Sequence, residues 1–329
     1  MAKAKKLPSG NWRVRVKKNG VVKSFTSQDK KSAELLAMEW QLGNSEIENT
    51  SATVKQCCER YIESKSKILS PNTIHNYRMM KDNYLQSIMN YPINKLKDEQ
   101  IQIAINELSL SRSPKTVRNA YGLLTAVLRM FRPSYTPRIT LPQKEKKEII
   151  IPERKQIEYM LNYAKDKNIY IPIILAAYCG LREAEICALT SNDVKDGKIH
   201  VNKSLVFNDD TKEWIVKLPK SFAGNRYIDM PNKVRNVVEG KTGKIVDYTP
   251  DGLRMTFKKL MKKLDISNIR FHDLRHFYVS ELFDMGLPEK YIIAQVGHSS
   301  ASITKAVYDH LSIKKQSEYA EQIANHFDF

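Results

Sequence analysis

The sequence has little cysteine, no long apolar run and too few acidic residues to balance its basic ones, and each shortage removes a class of protein. Its four cysteines (Cys57, Cys58, Cys179 and Cys187) lie within apolar patterns and form no paired metal-ligand spacing. Cys57 and Cys58 are neighbours, a poor geometry for a mutual bridge. Reduced thiols in a reducing cytoplasm are therefore expected, not a disulfide framework or a zinc site. The longest nearly apolar run, Ile169 to Leu181, has thirteen residues and contains Pro172 and Gly180. Spanning a bilayer takes about twenty residues, so this run is expected to be a buried core helix. No apolar stretch of the signal-peptide kind follows the basic N-terminus, and neither a lipidation motif nor an amphipathic anchor accompanies its charge. No internal repeat is visible. The second half of the chain has no cluster of Asp and Glu suited to a carboxylate-metal nuclease.

What is present is positive charge. Lys and Arg number 54 against 36 Asp and Glu, a formal net charge of +18. Residues 1–31 contain ten Lys/Arg and the single acid Asp29, so that segment carries +9, half the total. Such a surface attracts polyanions by steering and counterion release, and nucleic acid is the partner it fits better than a membrane. The 42% hydrophobic and 27% charged shares are those of a soluble globular protein. A length of 329 residues suits two or three domains.

Four segments follow. Residues 1–50 begin with Asn11 to Lys17, where apolar and basic residues alternate with the period of a strand, so one face is apolar and the other carries Arg13, Arg15 and Lys17. Asn19-Gly20 predicts a tight hairpin turn, and Val21 to Thr26 the return strand. Lys31 to Trp40 reads as a helix with Leu35, Leu36 and Met38 available for packing. Residues 51–132 read as a helical bundle. Ser70-Pro71 and Ser113-Pro114 each supply a cap and a first-turn proline. The first starts a helix carrying Ile74, Tyr77, Lys81, Tyr84 and Ile88, the second one carrying Val117, Tyr121, Leu124 and Leu128, with Lys115 and Arg118 among its polar positions. Residues 133–152, with Pro133, Pro137, Pro142 and Pro152, read as an extended linker. Residues 153–329 read as helices interrupted by strands at Lys198–Phe207, Glu213–Leu218 and Tyr227–Met230.

The chemistry-bearing residues fall in this last segment. Gly180-Leu181-Arg182-Glu183-Ala184-Glu185 comes first, and Leu218-Pro219-Lys220-Ser221 follows on a hairpin. His272-Asp273-Leu274-Arg275-His276, Gly297-His298-Ser299 and Tyr308 come last. Breaking a phosphodiester with a protein nucleophile needs an attacking oxygen, cations on the nonbridging oxygens, a proton acceptor and a donor to the leaving 5′-hydroxyl. A tyrosine phenol, with an ordinary pKa of about 10, needs such help. Arginine's planar fork gives two parallel hydrogen bonds to phosphate and keeps its charge. His272 and Arg275, three residues apart on one expected helix, can serve one site. His276 points elsewhere and is expected to be a buried, hydrogen-bonded histidine.

In this order the motifs resemble the tyrosine recombinase (phage integrase) family, over most of the chain. The resemblance implies that Arg182 and Arg275 clamp the scissile phosphate, that His272 assists proton transfer and that His298 bonds a nonbridging oxygen. It makes Tyr308 the nucleophile, Lys220 the proton donor to the leaving oxygen (Lys212 and Lys217 are nearby rivals) and Glu185 the supporting carboxylate after Gly-Leu-Arg. Cys179, Ala184 and Val296 replace the Thr, Ser and Leu that are more frequent in the family. A multidomain, mainly α fold with small β-sheets is implied: an arm-type DNA-binding domain with a three-stranded sheet and a helix, a helical core-binding domain, and a mixed catalytic domain. The same resemblance implies a homotetramer on double-stranded DNA at core and arm attachment sites, accessory directionality or DNA-bending proteins, and no metal or other cofactor. The basic N-terminal module favours the integrase of a prophage or conjugative element over a Xer-like resolvase. A type IB topoisomerase and a catalytically silent DNA-binding regulator stay open, as does docking of the amphipathic tail, residues 312–329, in cis or on a neighbour.

Overall fold

Alternation after Asn11 does build a strand. The computed structural model describes residues 4–18, 21–34, 36–38, 51–145, 149–219 and 224–297, and the chain divides into two compact units, residues 1–146 and 147–329. Strands β1 (Lys5–Lys6), β2 (Trp12–Lys18) and β3 (Val21–Ser27) form an antiparallel sheet in that order. The register runs from Trp12 opposite Ser27 to Lys18 opposite Val21. The expected Asn19-Gly20 turn lies outside the described residues. Val14 and Val16 are buried with Ala33 and Ala37, which belong to helical residues 30–34 and 36–38. Leu36 and Met38, expected to pack, are 43% and 42% exposed. Alanines four apart share one helical face, and that face, not Leu36 or Met38, meets the sheet; Leu35 lies outside the described residues.

The helical bundle begins at α1 (Val54–Lys65) and continues through α2 (Pro71–Asn83), α3 (Gln86–Met89), α4 (Asp98–Ser109) and α5 (Pro114–Phe131). Ser70 and Ser113 cap α2 and α5 as their sequences predict, accepting from Thr73 N–H at 3.3 Å and Thr116 N–H at 3.4 Å. The core is built from Val54 and Cys57 of α1, Ile101 and Ile105 of α4, and Val117, Leu124 and Leu128 of α5. A single helix running on through Tyr84 and Ile88 does not form. Tyr84 is extended and Leu85 takes a left-handed φ of 55°. That conformation costs about 1–2 kcal/mol, and burial of Tyr84, Leu85, Ile88 and Met89 in the core offsets it.

Residues read as the start of the linker lie along this bundle. Tyr135 Oη donates to Asp98 Oδ1 at 2.5 Å, Thr140 N–H donates to Gln102 Oε1 at 2.9 Å, and Ile139 and Leu141 pack on the core. Extended backbone with unpaired groups is satisfied here by side chains of α4 and α5.

The second unit starts with α6 (Arg154–Ala164) and α7 (Tyr170–Cys179). The apolar run is the buried helix expected of it: Pro172 to Ala177 and Cys179 are all buried. Next come α8 (Glu183–Ile186), β4 (Val194–Lys195), β5 (Lys198–Val201), β6 (Ser204–Asn208), β7 (Glu213–Lys217), β8 (Arg226–Asp229) and α9 (Asn232–Val238). Helices α10 (Pro250–Lys263), α11 (Asp273–Asp284) and α12 (Glu289–Val296) complete the described part. One sheet has the order β4-β5-β8, and β6-β7 is a separate hairpin. The strand expected over Lys198–Phe207 is therefore two strands in two sheets. Buried Asp193 gathers the break between them, pairing with Lys203 Nζ at 2.6 Å and accepting from Asn202 Nδ2 at 3.3 Å. Among the described residues no helix is long and apolar enough to cross a membrane.

All four cysteines are buried and unbridged. Burial pushes the thiols up, Cys57 to about 11 and Cys58 and Cys187 to about 12, which leaves them unreactive near neutrality.

Candidate active site

Gly180 makes the turn on which the site depends. Its φ of +64° ends α7, and a Cβ there would stand 2.4 Å from Cδ1 of the buried Tyr278 ring, so only glycine allows this approach. The chain emerges with Arg182 at the N-cap of α8. Arg182 N–H donates to Glu185 Oε2 at 2.9 Å, its Nη1 to Glu185 Oε1 at 2.7 Å, and its Nη2 to the Gly297 carbonyl at 2.7 Å. The side chain remains 35% exposed, within reach of a ligand.

Arg275, on the first turn of α11, is 1% exposed. Its Nη1 donates to the Gly180 carbonyl at 2.5 Å and its Nη2 to the Val296 carbonyl, while its buried Nε finds no acceptor among the described residues. Burial and then the Arg182 charge pull its pKa down, and Glu185 opposes them. An arginine starts high enough to stay charged. This is a concentrated cation with an unfilled donor.

His272 immediately precedes α11, and its ring is open to solvent although chain surrounds much of it. Burial, then the charges of His276, Arg275 and Arg182, hold its pKa down to about 4, with Asp273 acting in the opposite sense. Water reaching the ring screens part of this effect. The direction keeps the imidazole neutral, able to accept a proton. Asp273 itself is fully buried and accepts from Arg270 N–H at 2.8 Å and Arg270 Nη2 at 2.7 Å, fixing the start of the helix. His276 is buried as expected, but not hydrogen-bonded as expected: its Nδ1 has no partner among the described residues, and its Nε2 is 4.0 Å from Asp273 Oδ1.

Glu185 is the hub. It is buried, and each of its oxygens accepts from two arginines. Beside the Arg182 bonds, Arg226 Nη1 donates to Oε1 at 3.1 Å and Arg226 Nη2 to Oε2 at 2.9 Å. Burial pushes the carboxyl up, but the Arg226 hydrogen bonds and charge, then Arg182 and Arg275, outweigh it and hold the pKa at about 2. Arg226 was not singled out by sequence. Its only local signal is a basic residue opening a strand, which fits many solvated hairpins equally well.

The structure thus brings together Arg182, Glu185, Arg275 and His272. Lys220, His298 and Tyr308 lie outside the described residues, although Gly297, the residue before His298, touches Arg182. Elsewhere, Arg15 and Lys17 are exposed on β2 and Arg13 is half-buried; Lys115 is exposed on the first turn of α5. Arg118 instead directs Nε (3.1 Å) and Nη2 (2.8 Å) at the Pro142 carbonyl. Among the described residues no three His, Cys, Asp or Glu side chains gather as a metal site would require.

A helical bundle followed by a mixed domain, with two arginines of that domain held at one buried carboxylate, is the architecture of site-specific recombinases that use a tyrosine. The sequence profile of the phage integrase family matches residues 151–315, half of the chain, and that of the phage integrase N-terminal SAM-like domain matches residues 53–109. The chain belongs to the phage integrase family and is a tyrosine site-specific recombinase. A XerC-like tyrosine recombinase of Caldanaerobacter subterraneus subsp. tengcongensis is 23% identical over 309 residues, covering 78% of each chain. The Tn1549 transposon integrase, solved with transposon right-end DNA, superposes with a TM-score of 0.68 at 19% identity, covering 83% of this chain and all of that one. A λ integrase tetramer bound to a Holliday junction gives 0.56 at 15% identity, covering 93% and 94%. The mainly α, multidomain fold with small sheets agrees with these neighbours.

Proposed function

We propose that this recombinase integrates or excises a mobile element, cutting double-stranded DNA with Tyr308 as nucleophile. Its phenolic oxygen attacks the scissile phosphorus and a 3′-phosphotyrosyl bond forms as the P–O5′ bond breaks. The leaving 5′-oxygen takes a proton from Lys220. Arg182 and Arg275 hold the nonbridging oxygens, with His298 donating a further hydrogen bond, and neutral His272 accepts the phenolic proton as Tyr308 attacks. The 5′-hydroxyl of a partner strand then attacks the phosphotyrosine, which regenerates the phenol and conserves the bond energy. Two such exchanges in a tetramer complete recombination.

The observation that carries this reading is the gathering of Arg182 and Arg275, 93 positions apart in the chain, around one carboxylate. A fixed pair of guanidiniums there, one still partly exposed and one with an unfilled Nε, suits charge that develops on a phosphate in the transition state. The mobile-element assignment is supported by likeness to a transposon integrase and by the +9 segment at residues 1–31, with Arg13, Arg15 and Lys17 as its DNA-facing side chains. Residues 1–50 then serve arm sites, and residues 51–132, with Lys115 ahead of Arg118, serve the core site across a linker, residues 133–152, from the catalytic residues 153–329. Accessory bending or directionality proteins complete the assembly.

The test is covalent trapping on a nicked duplex spanning the element's joined ends, resolved on a denaturing gel. Wild type should form an adduct that Tyr308→Phe abolishes. An adduct persisting in Tyr308→Phe would place the nucleophile elsewhere, and binding without any adduct would favour a silent DNA-binding regulator.

A further inference from the structure

Three successive carbonyls at the end of α12 are each taken by a different arginine. Gln295 O accepts from Arg226 Nε at 2.8 Å, Val296 O from Arg275 Nη2, and Gly297 O from Arg182 Nη2 at 2.7 Å. The last carbonyls of a helix have no partner within it and carry its negative end, so three cations there both satisfy and fix them. Two of the three arginines are the proposed phosphate clamps. The third, Arg226, has a different geometry: it is 6% exposed, and Nε, Nη1 and Nη2 all point inward, to Gln295 and to both oxygens of Glu185. All three of its nitrogens are already committed, whereas the still more deeply buried Arg275 keeps an Nε unfilled among the described residues.

We propose that Arg226 is a positioning residue for strand transfer, clasping the start of β8 and the end of α12 to Glu185 so that Arg182 and Arg275 are held in one register. The connections are short. Arg182 shares both oxygens of Glu185 with Arg226, and Arg275 takes the carbonyl between those taken by Arg226 and Arg182. Replacing a buried ion pair with apolar groups often leaves stability unchanged or improved, whereas its directional bonds specify register. The value of Arg226 therefore lies in placing other side chains. The inference rests on the roles proposed above for Arg182 and Arg275.

The experiment uses the full chain and two readouts. The first is amide hydrogen exchange without DNA. Arg226→Met should raise exchange selectively in peptides covering 226–229 and 289–297, and Arg226→Lys should raise it less. The second is single-turnover adduct formation on the nicked duplex. At saturating DNA, Arg226→Met should slow the reaction about 100-fold, the effect of a misplacement of about 1 Å, with the Kd for DNA changed less than about threefold. Arg226→Lys should recover part of the rate, since an ammonium keeps the charge but not the fork. Because Arg226→Met strands the Glu185 charge, the double variant with Glu185→Gln should regain thermal stability yet stay slow. A wild-type rate in Arg226→Met, a loss entirely in Kd, exchange raised evenly across the unit, or a double variant recovering both stability and rate would each overturn the proposal. Should wild type form no adduct, the proposed function fails, while selective exchange still decides the clasp.

Discussion

Arg226 and Glu185 are joined by two hydrogen bonds, at 3.1 and 2.9 Å, across 41 residues of sequence and with both side chains buried. The same carboxylate receives the backbone and guanidinium of Arg182. One acidic side chain thus organises two arginines, and the behaviour of the site follows from its charge.

Glu185→Gln should destabilise the catalytic unit by about 3 kcal/mol near neutral pH, because removing one partner leaves buried guanidiniums uncompensated. The folded pKa of about 2 lies below the ordinary carboxylate value of 4.5. The stabilisation from ionised Glu185 is therefore complete above about pH 4.5 and is lost as pH falls through about 2. Urea unfolding, followed by Trp214 with Trp12 and Trp40 replaced by Phe, should show the gap between wild type and variant narrowing in that window. Equal stability at pH 7 would mean that the pair contributes nothing net.

His272 should be neutral at pH 6. Its folded pKa of about 4 is below the ordinary 6.5, so the unfolded chain takes up this proton first. The contribution of His272 to stability is full above about pH 6.5 and declines as pH falls toward 4. A phosphate arriving between Arg182 and Arg275 offsets their repulsion and should raise the pKa, so DNA binding should take up a proton on the acid side of neutrality. Imidazole NMR titration with and without duplex, assigned with His272→Asn, measures both. A ring already charged at pH 6 in the free protein would contradict the first expectation, and a pKa unmoved by DNA the second.

Lys115 and Arg118 should separate into two roles. Lys115→Ala should weaken DNA binding similarly on all sequences and reduce the salt slope by about 1. Arg118→Ala removes the fork that holds the Pro142 carbonyl, so its effect should appear as faster proteolysis and hydrogen exchange over residues 135–142, with little change in salt slope. Binding isotherms at several salt concentrations, with exchange on the same variants, distinguish them. Equal salt slopes in Lys115→Ala and wild type would remove Lys115 from the interface.

Much of the site was legible in sequence because its chemistry is carried by short motifs. Gly180-Leu181-Arg182 with Glu185, and His272 with Arg275, were picked out by the order of the motifs and the family resemblance that order carries, not by spacing alone. Capping by Ser70 and Ser113 and the alternation of β2 were equally readable, since each depends on neighbours within four residues. The readings that failed depended on longer-range contacts. The helix through Tyr84 stops because burial of Leu85 and Ile88 outweighs local strain, and the strand at 198–207 divides because Asp193 draws Asn202 and Lys203. In the N-terminal module, Ala33 and Ala37, with less apolar surface than Leu36, nonetheless face the sheet.

By itself, then, the amino-acid order determined the capped helix starts, the alternation of β2, the charge that draws nucleic acid, and the identity of the residues offered for chemistry. Local periodicity, caps and side-chain type are properties of neighbouring residues. Only the tertiary structure decided which charges meet. Arg226 reaches Glu185 across 41 residues and Gln295 across 69, and Arg182 reaches Gly297 across 115. No spacing along the chain encodes such pairings, because they form only when packing of the apolar core brings β8, α8 and the end of α12 to one place.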